Sequence, residues 1–190
     1  MDNLMNYQSA WKEGVYVTMK NFFLYLSFRP AIDNSKCKED IYCFLNKQII
    51  AVDRNIYNME SRQVIQKDLG IRPYFLSQSM FMEILNGMVF SRWKDIRLKG
   101  IYFEDESIEN MFEYSQLIAA INKNDMFLAY NHITEIIELY DTDIRAISIR
   151  YKGYYFNITK DGVMDTDAPD YIFYDFINDK IVNAILLGVV

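Results

Sequence analysis

The chain has 190 residues, 51% of them hydrophobic and 16% aromatic, with 7 Gly and 3 Pro, which suits one folded domain and excludes an intrinsically disordered one. Its longest apolar runs, Phe22 to Leu26 and Ala184 to Val190, fall far short of the ~20 residues that a membrane-spanning helix needs. The net charge of −6 is unevenly divided: residues 1–100 carry 14 Lys and Arg against 10 Asp and Glu, and residues 101–190 carry 6 against 16. The C-terminal half, at −10, repels nucleic acid and attracts a basic protein surface.

The opening MDNLMNYQSAWKEG lacks the basic patch and apolar segment of a secretion signal, so a cytoplasmic location is expected. Leu4, Tyr7, Trp11, Val15, Phe22 and Leu26 recur near helical spacing and predict a helix from about 4 to 27, stopped by Arg29-Pro30. After Asp33-Asn34-Ser35, a stripe of Ile41, Leu45, Ile49, Val52 and Ile56 predicts a second helix. Six positions of helix would turn the thiols of Cys37 and Cys43 apart, which argues against a local disulfide or zinc pair and for a reducing environment. A short helix from Ser61 to Leu69 ends at Gly70, and Met80, Ile84, Leu85 and Met88 suggest another between Ser77 and Trp93. The expectation for residues 1–94 is therefore helical.

From Asp95 to Phe103 polar and apolar residues alternate about Lys99-Gly100, predicting a small hairpin over 95–103. Two helices follow over 107–140. Ser107 caps the first, with Ile108, Met111, Phe112, Ile118 and Ile121 inward; Asn124 or Asp125 caps the second, with Tyr130, Ile133, Ile137 and Tyr140 inward. Residues 144–165 read as an antiparallel meander. Ile147, Ile149 and Tyr151 alternate with Ala146, Ser148 and Arg150, and Lys152-Gly153 turns the chain into Tyr154 to Thr159. A turn at Asp161-Gly162 adds a third short strand, and Asp167 caps a final amphipathic helix over 168–187. The fold class is α+β, a predominantly helical single domain with a C-terminal antiparallel meander before a last helix.

Counting excludes several chemistries. One histidine, His132, cannot build an HExxH zinc site or a di-iron bundle, and the glycines never approach GxGxxG, GxxxxGK or GxSxG spacing. His132 has Glu135 one helical turn ahead and reads as a structural residue. The segment Ser91 to Lys99 gathers four cations around Trp93, a composition that suits phosphate contacts and stacking; a Trp that anchors a core edge explains it more simply. The Asn157-Ile158-Thr159 sequon has no consequence in the cytoplasm.

The segment KDGVMDTDAPD repeats the Asp-Thr-Asp of residues 141–143 at 165–167. A hairpin would bring Asp141, Asp143 and Asp161 together as oxygen ligands for Mg²⁺ or Ca²⁺, although Pro169 and Asp170 break the EF-hand pattern counted from Asp165. Turn and cap chemistry accounts for the same acids, and no cofactor is expected. On the last helix Tyr171, Tyr174, Asp175, Asn178 and Asp179 face away from the apolar stripe. Tyrosines that fill pockets beside acids that pair with Arg or Lys are the composition of a protein interface. With Asp165 and Asp167 extending the negative field, the expected partner is a basic protein such as a nuclease toxin. An immunity or anti-defence inhibitor, not an enzyme, is the class this favours. The alternatives are a metal-dependent enzyme using the Asp cluster and a module that self-associates through Ala184 to Val190.

Overall fold

The computed structural model describes residues 75–90, 93 and 95–181, together with the backbone of the strands Lys20–Ser27, Ile41–Phe44, Ile49–Asp53 and Ile71–Pro73. In chain order the strands are β1 (Lys20–Ser27), β2 (Ile41–Phe44), β3 (Ile49–Asp53), β4 (Ile71–Pro73), β5 (Ile96–Phe103), β6 (Ile144–Tyr151), β7 (Tyr154–Thr159) and β8 (Val163–Thr166). The helices are α1 (Gln78–Val89), α2 (Phe112–Asn122), α3 (Met126–Tyr140) and α4 (Asp170–Phe176). A 3₁₀ turn (Glu106–Asn110) precedes α2, and a π turn (Ile177–Ile181) extends α4. No helix among the described residues is long and apolar enough to cross a membrane.

The chain is α+β, with the antiparallel meander in its C-terminal half followed by a helix. The sheet is antiparallel throughout, in the order β2-β3-β1-β8-β7-β6-β5, with β4 paired to β1 beyond the end of β8. It is larger than the helical reading of residues 1–94 allows. The helix expected from 4 to 27 is strand β1 over its last eight residues, and the Ile41 to Ile56 stripe holds strands β2 and β3. NFFLYL is apolar at five successive positions, so it satisfies any period, and Ile, Val and aromatic residues are then better placed on a pleated surface. Cys43 accordingly lies in β2, and the helical argument about its thiol no longer applies. Cys37, the helix expected at Ser61 to Leu69 and the Ala184 to Val190 segment lie outside the described residues.

The helices cover one sheet face. Phe81, Ile84 and Leu85 of α1, Leu117 of α2 and Ile133 and Ile136 of α3 join Ile147, Ile149, Phe156 and Ile158 of the sheet in one core. Ser77 starts α1, its Oγ accepting from the Met80 N–H at 3.4 Å. Asp125 caps α3, as one of the two candidates the sequence offered, its Oδ1 accepting from the Leu128 N–H at 3.0 Å. Trp93 closes the core edge against α1: a Cβ added at Gly87 would stand 2.7 Å from the indole, which explains a glycine inside that helix.

Two local expectations change. Lys99-Gly100 is not a turn but a bulge inside the single strand β5, between Leu98 opposite Ile149 and Gly100 opposite Ser148. Ser107 does not cap α2: Asp105 starts the 3₁₀ turn, its Oδ1 accepting from the Ser107 N–H at 2.9 Å, and α2 begins only after Met111. That change of pitch buries Ile108 but leaves Phe112 71% exposed.

Candidate functional site

The β6–β7 hairpin closes through Lys152-Gly153, both with positive φ, the two-residue turn that the alternation on either side demands. The next connection is longer than Asp161-Gly162 alone. The Gly162 N–H donates to the Thr159 carbonyl at 3.0 Å and only Gly162 has positive φ, so the loop spans residues 160–162.

The two Asp-Thr-Asp segments work through their threonines. Thr166 is fully buried; its hydroxyl donates to the Tyr155 carbonyl at 2.6 Å and accepts from the Ala168 N–H at 3.0 Å. Thr142, also buried, accepts from the Asp105 N–H at 3.5 Å. Buried hydroxyls need such partners, and here they fix the chain on entry to α4 and β6. Asp167 is not the helix cap. Its Oδ1 accepts from the Tyr155 N–H at 2.6 Å, and Pro169 precedes α4 without a side-chain cap, because Asp167 stands two residues too early to reach the first turn.

The carboxylates proposed as metal ligands are not gathered. Asp141, the left-handed end of α3, and Asp143 line a hollow of about 600 Å³ with Glu104, Asp105, Ile137, Tyr140 and Thr142, while Asp161 does not line it. Lys160 enters from the same loop as Asp161, its Nζ 3.1 Å from Glu104 Oε1 and 3.2 Å from Asp143 Oδ2. These two acids hold the ammonium pKa above its ordinary value, so the loop brings a cation to Asp143 where a third ligand was expected. Among the described residues no group of three His, Cys, Asp or Glu side chains could hold a metal ion. His132 Nδ1 lies 3.4 Å from Glu135 Oε2, the neighbour its helical spacing indicates.

Helix α4 separates its two sides cleanly. Ile172, Phe173 and Phe176 are buried, with the Phe176 ring 4.0 Å from that of Phe156 on β7. Tyr171 is 70% exposed and Tyr174 46%, with Asp179 exposed one turn on and Asn178 half-buried. Asp175 departs from the outward face. Its Oδ2 accepts from the buried Tyr151 hydroxyl at 2.9 Å and from the Lys152 ammonium at the hairpin tip. Lys152 first and Tyr151 second hold the Asp175 carboxyl below the usual carboxylate range, while burial, with the Asp175 contact added, pushes the Tyr151 phenol up.

Of the seven residues expected to bind a partner, Tyr171, Tyr174, Asn178 and Asp179 share the α4 surface. Asp175 is committed to the hairpin, Asp167 to the β7 backbone, and Asp165 stands on β8 opposite Asn157. The roles of Tyr151 and Lys152 escaped the sequence reading, because the helical phase groups Asp175 with the outward residues and carries no information about where the hairpin tip lies.

No family model matches the chain, and neither the comparison with curated proteins nor that with solved structures gives a match.

Proposed function

We propose that the protein is a non-enzymatic inhibitor of the immunity or anti-defence type, which neutralises a basic protein such as a nuclease toxin through the outer surface of α4. The observation that carries this reading is Tyr171, whose ring is 70% exposed on a helix that its opposite side anchors in the core. A rigid aromatic beside carboxylates gives a large contact area at little entropic cost, and the −10 charge of residues 101–190 steers a cationic partner toward it. Tyr171 and Tyr174 act as anchors, and Asp170 and Asp179 supply the field on the same helix. Asp175 contributes by holding α4 to the hairpin.

The test is affinity capture from the native host, followed by titration of the purified captured protein. Tyr171→Ala is expected to weaken binding at least about tenfold. Asp179→Lys should lower the association rate and flatten its dependence on salt. Tyr171→Ala leaves the Asp175 to Lys152 contact intact; Asp179 neighbours Asp175, so the melting temperature of Asp179→Lys is measured beside its binding to separate the two effects. A partner that binds both variants as tightly as the unaltered chain removes the α4 surface from consideration.

A further inference from the structure

The sheet face away from the helices carries charge of the opposite sign. The register places Arg97 of β5 directly opposite Arg150 of β6, and Arg150 directly opposite Tyr155 of β7, so the three form one row across three strands. Lys99 lies two residues along β5 from Arg97, about 7 Å away at strand rise. Arg97, Lys99, Arg150 and Lys152 line a hollow of about 370 Å³ with Asp95 and Gly153. Like charges directly opposite on neighbouring strands destabilise a sheet. Three other cations of this half have carboxylate partners: Arg145 with Glu106, Lys152 with Asp175, and Lys160 with Glu104 and Asp143. Arg150 instead faces a second arginine. Its Nε donates to the Gly153 carbonyl at 3.2 Å, and its guanidinium lies 5.5 Å from the centre of the Tyr155 ring.

Among the described residues no carboxylate forms an ion pair with Arg97, Lys99 or Arg150. Asp175 is taken by Lys152 and Tyr151, and Asp167 by the Tyr155 N–H. Asp165 lies one register row away opposite Asn157, and Asp95 lines the hollow without an ion pair to any of its cations. Tyr155 is 45% exposed, so its ring is open to a stacking partner. Edge-strand protection accounts for Arg97 and Lys99 on β5, but not for Arg150, which lies on a strand paired on both sides.

We propose that this row binds single-stranded nucleic acid, with Arg97, Lys99 and Arg150 contacting phosphates and Tyr155 stacking on a base. A sheet face that presents aromatic and cationic side chains fits unstacked bases, whereas a duplex offers no base face to Tyr155. The acidic net charge does not oppose contact at this distance: at 0.1 M salt fields between exposed charges are largely screened beyond about 10 Å.

The test uses the full chain and fluorescein-labelled poly-dT and poly-U strands longer than the roughly 4–16 nucleotides that such a site covers. Fluorescence anisotropy should give a Kd on the order of 10 µM at physiological salt. Three phosphate contacts predict a slope of log K against log salt of about −2, or binding about 20-fold weaker at 200 mM than at 50 mM salt. Arg97→Gln and Arg150→Gln should each make the slope shallower by about 0.7, and these neutral variants relieve a repulsion, so a folding defect does not mimic the effect. Tyr155→Ala should weaken binding about tenfold with the slope unchanged, and Tyr155→Phe should restore it. The proposal is overturned by the absence of an anisotropy change at ten times the expected concentration, by variants that bind as the unaltered chain does, or by a duplex or polyglutamate competing as effectively as a single strand.

Discussion

Asp175 joins the last helix to the tip of the β6–β7 hairpin, and its proton equilibrium is therefore linked to folding. Its folded pKa lies below the unfolded value, so its contribution is present above about pH 4 and is lost as pH falls through the folded value. The Lys152 pKa is raised, chiefly by Asp175, so its contribution is present below the ordinary lysine value and is lost only as pH rises beyond it. Both groups are charged across the neutral range. Asp175→Asn is expected to lower the melting temperature at neutral pH by no more than a few degrees, since the pair is partly exposed. Melting curves below pH 4 should show that difference closing; a gap that stays constant with pH would mean that the ion pair does not form in solution. The helical phase groups Asp175 with the outward residues of α4; its cation stands 23 residues away and is met only because the hairpin turns at Lys152-Gly153.

The 3₁₀ turn before α2 shows how a short element redirects the residues that follow. Ile108 and Phe112 are four residues apart and share one face of a continuous α-helix, which is the expectation the sequence supports. The tighter pitch from Glu106 to Asn110 and the extended Met111 break that relation, burying Ile108 and leaving Phe112 71% exposed. Ile108→Ala should accordingly cost about 2–5 kcal/mol, and Phe112→Ala less than about 0.5 kcal/mol. Urea unfolding of the two variants measures both, and a larger loss at Phe112 would mean that the helix starts where the periodicity first places it. In the meander the local signals are stronger, because alternation and the Lys152-Gly153 turn specify the same register. Within β5, alternation survives on both sides of the Lys99-Gly100 bulge, and so a strand that continues and a strand that reverses look alike in sequence.

On the scale of the molecule, β1 couples the two halves of the chain. It pairs with β8 from Lys20 opposite Thr166 to Phe23 opposite Val163, and with β3 on its other side, so residues from the basic half complete a sheet begun in the acidic half. A fragment that begins at Phe75 would leave β8 as an unpaired edge next to apolar surface. It should self-associate or lose stability relative to the full chain, because such edges recruit other strands. Light scattering and thermal unfolding of the fragment check this; a monomeric fragment as stable as the full chain would show that the β1 to β8 ladder adds nothing. The sheet also places the two candidate surfaces apart: the tyrosines project from α4, and the Arg97, Arg150 and Tyr155 row lies on the sheet face opposite the helices among the described residues.

By itself the sequence determined the α+β class, the meander and its tight turn, the burial phases of α1 and α4, and the outward placement of Tyr171 and Tyr174. Each of these rests on periodicity or turn chemistry within a few residues. Tertiary structure decided that β1 to β3 are strands and not helices, that Lys160 reaches Asp143 and Glu104, and that Arg97 stands opposite Arg150. Those outcomes depend on pairings between segments distant along the chain, for which local periodicity carries no information: a run as uniformly apolar as NFFLYL takes its period from the strands it meets.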